Sequence, residues 1–287
     1  MSRSSWSLRE APPIKGETWL ITGATSGLGL STARAAAAHG ARVILAVRNV
    51  ERGRLLAAEL GNAEVVHLEL SDLSSVRRAA ESVGEIDVLI NNAGSSTMSR
   101  RETSDGFEWH LGVNLLAPFL FTNLVLDRVK RRVVVVVSVM HRFGSIDFAD
   151  PHFRHRKWST VSAYSQSKLG DVLWAHELSD RLAAAGSSVD VQMAHPGWAN
   201  TAVGNPTRTK LGKSVVRVAG KVLANPTDIA SLTTQFAAAE ELAPASLIGP
   251  AGFGQLRGFP TLVEQSPKVF DQALTRCLWD FAESETS

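Results

Sequence analysis

The sequence predicts a doubly wound α/β fold: one parallel sheet with helices on both faces, held in a single domain. Three observations predict it. Short β-rich runs alternate with helical stretches through the first 140 residues. Those runs are continuously apolar rather than alternating, as strands covered on both faces must be. A glycine-rich turn joins the first run directly to the first helical stretch.

The elements follow in order. Residues 1–18 are polar and interrupted by Pro12 and Pro13, with neither the apolar core of a signal peptide nor an Arg-rich amphipathic pattern. Residues 1–15 are therefore expected to form a flexible arm ahead of a single domain at 16–287. Strands are expected at 18–22, 42–47, 64–68, 87–90 and 133–137. Between them, helices are expected at 27–39, 50–60 and 73–83, stopping at Gly40, Gly61 and Gly84, each able to take a left-handed C-cap. Repeated strand–helix–strand units imply right-handed crossovers and hence a parallel sheet. Two longer helices are expected over about 104–127 and 161–185, a sixth strand at 188–194, a half-turn at 249–252 and a C-terminal helix near 266–283. No internal repeat, low-complexity linker or composition break divides the chain.

Charge and cysteine content exclude several classes. With 30 Lys and Arg against 28 Asp and Glu, the formal net charge is +2, too small to mark a nucleic-acid or anionic-membrane partner. The longest aliphatic run, 133–137, is far shorter than the roughly 20 residues that span a bilayer, so a cytoplasmic protein is the expectation. A single cysteine, Cys277, excludes an internal disulfide framework and a multi-cysteine metal site. His152 and His155 lack carboxylates or cysteines at ligand spacing, so they read as part of a solvated basic loop and no metal is expected. Beside 11 Phe and 7 Trp stands one tyrosine, Tyr164, so no other phenol can perform its task.

The turn reads Thr22-Gly23-Ala24-Thr25-Ser26-Gly27-Leu28-Gly29 and runs straight into an Ala-rich helix. Glycines there permit a tight turn and a close backbone approach to a pyrophosphate, whose charge meets free amides and the positive end of the helix. Gly23 would make the turn, Gly27 the approach and Gly29 the helix-to-strand contact. Three further motifs follow: Asn91-Asn92-Ala93-Gly94 after the fourth strand, Ser138 after the fifth, and Tyr164-x-x-x-Lys168 on the next helix.

These four motifs, in this order, resemble the short-chain dehydrogenase/reductase family, with a Rossmann-like fold, strongly over about 15–200 and loosely beyond. Met140-His141-Arg142, Ser165-Gln166-Ser167-Lys168 and an insertion at about 143–158 look like its retinol-dehydrogenase-like and WW-domain-oxidoreductase-like branch. Tyr164 lies 26 positions after Ser138, roughly twice the gap of simpler members. The resemblance implies a nicotinamide cofactor held by Gly23, Thr25, Ser26, Gly27, Leu28 and Gly29, by Asn92, Ala93 and Gly94, and by the Pro196-Gly197-Trp198 turn with Thr201 on the carboxamide. Asp72, beside Leu73, matches the aspartate that addresses the adenine; a helix N-cap would look the same in sequence. At the end of the second strand an acid would favour NAD(H) and a base NADP(H). The chain has Val47-Arg48-Asn49, and the planar fork of Arg48 suits a 2′-phosphate, so NADP(H) is expected over NAD(H).

Tyr164 and Lys168 are four residues apart on a helix and share a face. A carbonyl accepting hydride needs a proton on its oxygen, and the reverse reaction needs a base. A phenol with its ordinary pKa near 10 is a poor base at neutral pH, and a neighbouring ammonium favours the phenolate. Lys168 would also bond the nicotinamide ribose, and Asn114 would hold a water linking Lys168 to solvent, as the resemblance implies. Ser138, ending its strand at the sheet's carboxyl edge, would donate to the developing oxyanion. The segment at about 202–225 is expected to be a substrate lid, and Trp198, Met140, Phe143 and Trp158 to line an apolar pocket for a hydrophobic ketone, aldehyde or alcohol. A homodimer or homotetramer is expected by resemblance. The alternative is a non-catalytic NADP(H)-binding sensor of the same fold.

Overall fold

Because side chains alternate along a strand, each apolar run feeds two cores at once. In the computed structural model, which describes residues 6–197 and 225–287, Leu20, Ile44, Leu89 and Val133 enter one core, and Trp19, Ile21, Val43, Val88 and Val134 enter the other. The strands are β1 (Thr18–Thr22), β2 (Arg42–Val47), β3 (Ala63–His67), β4 (Ile86–Asn91), β5 (Val129–Val136), β6 (Asp190–Ala194), β7 (Leu247–Pro250) and β8 (Pro260–Leu262). They form one sheet in the order β3-β2-β1-β4-β5-β6-β7-β8, parallel except for β8, which pairs antiparallel with β7. The order reverses between β1 and β4, so their carboxyl ends open the crevice where doubly wound sheets bind ligands.

The described helices are α1 (Gly27–Ala38), α2 (Val50–Leu60), α3 (Leu73–Ser82), α4 (Ala117–Val125), α5 (Thr160–Ala184), α6 (Thr227–Ala239) and α7 (Gln272–Thr286). Helices α3, α4, α5 and α7 bury apolar side chains in the first core, and α1, α2 and α6 in the second. Among the described residues no helix is long and apolar enough to cross a membrane.

The structure corrects several expectations. Residues 6–15 are not a loose arm: Trp6, Leu8 and Ile14 are buried in the second core. The Trp6 ring meets Phe236 edge-on at 5.0 Å and its Nε1–H donates to Glu240 Oε1 at 2.6 Å. An isolated indole among polar residues and prolines carries no periodicity, so its burial is a tertiary fact. The long helix expected from 104 begins only at Trp109, because Thr103 to Phe107 close a turn, Thr103 N–H donating to Phe107 O at 2.9 Å. Gly40 and Gly61 adopt positive φ at their helix ends, but α3 stops on extended Val83, and Gly84 does not take the left-handed form. The half-turn expected at 249–252 is in part β7, whose antiparallel neighbour β8 is only three residues long and begins on a proline.

Candidate active site

The glycine turn is built by packing against the turn after β4. Thr22 Oγ1 accepts the Asn92 and Ala93 amides at 3.0 and 2.8 Å, and Asn92 Nδ2 donates back to Thr22 O at 2.8 Å. Gly29 sits where a Cβ would lie 2.5 Å from Asn92 Nδ2 and 2.6 Å from Gly23 O, so only glycine brings α1 this close. The first hydrogen bond of α1 is Leu30 N–H to Ser26 O at 3.2 Å, leaving the amides ahead of it without helical acceptors. A cradle too close for a Cβ, backed by unpaired helix-start donors, fits a pyrophosphate. Thr25, Ser26, Gly27 and Leu28 lie in this turn and its helix start.

The adenosine-side residues sit at the ends of β2 and β3. Arg48 is 74% exposed and its Nε lies 3.6 Å from Oε2 of half-buried Glu69, a long contact at the surface that holds the arginine only weakly. Asn49 caps α2, accepting Arg52 N–H at 2.9 Å. Asp72 caps α3, accepting Ser74 N–H at 2.9 Å and Ser75 N–H at 3.3 Å, so the N-cap half of its two readings is realised. The Ser74 hydroxyl, ahead of burial and these amides, sets its carboxyl below the ordinary aspartate range. Leu73 is buried, its amide donating to Asp105 Oδ2 at 3.1 Å.

The polar centre converges from three elements. Asn114 lies in a π-helical turn, Leu111–Leu116, ahead of α4, where the widened backbone accommodates a buried amide inside an otherwise apolar run. Its Oδ1 accepts Ser95 N–H at 2.8 Å, and its Nδ2 donates to Ser95 O at 3.0 Å and Ser167 Oγ at 3.2 Å, tying the Asn92–Gly94 turn to α5. A Cβ on Gly94 would lie 3.4 Å from Asn114 Oδ1 and 3.9 Å from Lys168 Nζ, which places all three together. Lys168 Nζ donates to Val136 O at 3.1 Å and to Asp171 Oδ2 at 2.7 Å, and lies 6.0 Å from the Tyr164 ring centroid. Ser138, two residues beyond β5, caps the short helical turn Val139–Phe143 that packs against α5, its Oγ accepting Met140 N–H at 3.3 Å.

Pro196 and Gly197 follow β6 beside this edge, with Val137 N–H donating to Ala194 O at 2.8 Å. Trp198, Thr201 and the 202–224 part of the expected lid lie outside the described residues. Phe143, expected to line a pocket, is 73% exposed. Trp158 instead packs inward, donating from Nε1 to Glu108 Oε1 at 3.0 Å.

The insertion is not a solvated basic loop. Asp150 accepts the amides of Arg154, His155 and Arg156 at 2.7, 2.9 and 2.8 Å, bonds that hold its carboxyl down to about 2. His155 is exposed, but His152 is buried: its Nδ1 accepts Glu108 N–H at 3.2 Å and its Nε2–H donates to Glu285 Oε2 at 3.0 Å. Glu108 and His110 are also fully buried. Burial pushes the Glu108 carboxyl up, but bonds from His110, Trp158 and the Leu111 amide outweigh it and leave it below the ordinary glutamate range. The His110 ring meets the Tyr164 ring edge-on at 6.0 Å. Among the described residues no three His, Cys, Asp or Glu side chains gather as a metal-holding group.

Sequence reasoning missed Glu108, His110 and Asp171. Only Asp171 carried a signal, three residues after Lys168 on the same helix face.

His195 couples the fold to pH. It is fully buried, its Nδ1 accepting Gly197 N–H at 3.2 Å and its Nε2–H donating to Gln255 Oε1 at 3.0 Å. Burial pushes it down to about 4, against the Gln255 bond and with help from His141 and Arg142. An unfolded imidazole takes its proton near pH 6.5 and the folded one resists until about 4, so the unfolded state binds more protons in that window. Stability should fall by about 3 kcal/mol on this account as pH drops from 6.5 to 4. Urea unfolding of wild type and His195→Gln across that range should show a flatter profile in the variant; parallel profiles would refute the assignment.

Residues 17–212 match the family described as short chain dehydrogenase. Human retinol dehydrogenase 13 is 37% identical over 284 residues, which cover 93% of this chain and 83% of that protein. Mouse polyprenol dehydrogenase is 41% identical over 208 residues, 66% of this chain and 62% of that one. A crystal structure of a protein from Mycobacterium Paratuberculosis has a TM-score of 0.84 at 40% identity, covering 98% of this chain and 97% of that chain. The blue fluorescent protein from a metagenomic library, solved in complex with NADPH, has a TM-score of 0.64 at 21% identity, covering 82% and 96%, and shares the fold.

Proposed function

Since the chain belongs to the short chain dehydrogenase family, we propose that it is an NADP(H)-dependent oxidoreductase that interconverts a hydrophobic ketone or aldehyde with its alcohol. The observation that carries the reading is the convergence of Asn114, Lys168 and Gly94 beside Val136, with Tyr164 one helical turn before Lys168 and Ser138 two residues beyond the same strand. When bound, the nicotinamide supplies or accepts the hydride. Tyr164 Oη gives a proton to the carbonyl oxygen or takes it from the alcohol. The Ser138 hydroxyl holds that oxygen as charge develops on it. Lys168 places a positive charge near the phenol, and Asn114 fixes the Ser95 backbone beside it. Relatives named retinol dehydrogenase and polyprenol dehydrogenase support a long apolar alcohol as the substrate class.

The NADP(H) preference rests on Arg48, whose weakly held fork stands at the end of β2 with no acid at Val47. NADPH fluorescence titration should give tighter binding than NADH. Arg48→Ala should weaken NADPH by roughly 10- to 100-fold, the range for hydrogen bonds to a charged group, and leave NADH unchanged. Nicotinamide absorbance assays with retinal, a polyprenal and simpler aromatic ketones test the reaction class. NADPH binding without turnover of any carbonyl would favour the sensor reading, and equal affinities for the two cofactors would remove the Arg48 argument.

A further inference from the structure

We propose that Asp171 is a positioning residue for this reaction, the fixed counter-ion that holds the Lys168 ammonium in place beside Tyr164. The inference rests on the reading of Tyr164 and Lys168 as the proton-transfer pair. Lys168 and Asp171 are 5% and 1% exposed, so their 2.7 Å contact is an ion pair away from solvent. An ammonium has three donors. One goes to Val136 O and one to Asp171 Oδ2, which leaves a single donor for the ligand side. The carboxylate is itself fixed, because Asp171 Oδ1 accepts from Nε1 of buried Trp174 at 3.4 Å, and that indole packs edge-on against Phe119 at 6.2 Å.

A buried ammonium without a counter-charge is strongly disfavoured. Burial works against the charge on Lys168, and the Asp171 carboxylate together with Tyr164 outweighs it, setting the ammonium above the ordinary lysine range. The described charged groups on the surrounding elements are engaged elsewhere. His141 Nδ1–H donates to Ser138 O and Arg142 to Glu264 O; His110 pairs with Glu108; His195 bonds Gln255; Glu285 bonds His152; Lys268 bonds Gly144 O. Among the described residues Asp171 is the one carboxylate in ion-pair contact with Lys168.

Asp171→Asn keeps the shape and removes the charge. Lys168 should then release its proton closer to neutrality, and Tyr164 should lose its cation. With NADP⁺ and a hydrophobic secondary alcohol, the acid limb of the kcat profile should move up by about one pH unit, roughly a tenfold loss of rate at pH 7, while KM for the alcohol changes by less than about twofold. Because Tyr164 is the lone tyrosine, its phenolate absorbance can be titrated in the cofactor-free protein, and the band should appear at higher pH in Asp171→Asn than in wild type. A band and a limb that stay in place, or move to lower pH, overturn the proposal. If wild type turns over no alcohol or carbonyl, the functional reading fails, and the phenolate titration still decides Asp171. Should Asp171→Asn fail to fold, Lys168→Met is compared with and without it. The double variant, free of the buried charges, must be the more stable, and a less stable double variant overturns the pairing.

Discussion

Tyr164→Phe should lose at least about a hundredfold in turnover in both directions while binding NADPH within about twofold of wild type. General acid–base transfer typically contributes 10²- to 10⁴-fold, and the chain has no second tyrosine to take over the role. The substitution is small in every other respect. The aromatic ring is retained, so its edge-on contact with His110 at 6.0 Å and the approach of Lys168 Nζ at 6.0 Å survive. Half-buried Tyr164 also anchors no core, unlike its fully buried neighbours Ala163 and Ser167. Stopped-time absorbance at saturating NADPH and fluorescence titration of the same preparation separate chemistry from binding. A variant with wild-type turnover would remove Tyr164 from the mechanism, and one that no longer binds NADPH would make it a cofactor residue only.

The parts of the site legible in the sequence are those set by local rules. A glycine turn between strand and helix has one geometry, and the Thr22–Asn92 bonds and the Gly29 contact follow from it. Tyr164 and Lys168 were readable because helical spacing of four puts them on one face, and the same spacing logic makes Asp171 visible once it is looked for. Asn114 comes from the resemblance alone, and the π-helical turn is the local distortion that accommodates its buried amide. What stayed hidden depends on distant segments. Besides its neighbours His110 and Leu111, Glu108 meets Trp158 and His152 of the insertion, and His152 closes on Glu285, 133 positions later. No periodicity links such residues, so a stretch rich in His and Arg looked solvated when it is folded around Asp150 and a buried carboxylate. The N-terminal segment is hidden for a related reason, since a lone Trp6 finds its place only when Phe236 and Glu240 arrive.

Arg132→Ala should destabilise the fold by about 3–5 kcal/mol without altering the chemistry. Arg132 is 4% exposed at the side chain and is the cross-strand neighbour of Asp190, which its Nε and Nη2 grip at 2.6 and 2.8 Å. Its remaining nitrogen, Nη1, donates to the carbonyls of Ala237 at 2.9 Å and Glu240 at 2.6 Å, satisfying the last turn of α6, whose C-terminal dipole favours a cation there. One planar fork thus fixes the β5–β6 register and docks a helix on the second core. Alanine would take both guanidinium donors from Asp190, leaving it the Gln192 amide at 3.3 Å, and would remove Nη1 from the buried end of α6, where losing a donor costs more than the bond was worth. Lysine should recover only part of the loss, because a point charge cannot bridge a carboxylate and two carbonyls in one plane. The site should be spared. Ser138 lies six residues further along the chain, about 20 Å away at the rise of an extended strand, and Lys168 meets that same carboxyl-end half at Val136. Urea midpoints for wild type, Arg132→Lys and Arg132→Ala should fall in that order, with kcat unchanged below each transition. A drop in kcat that matches the loss of stability would mean that the register set by Arg132 reaches the catalytic end of the strand.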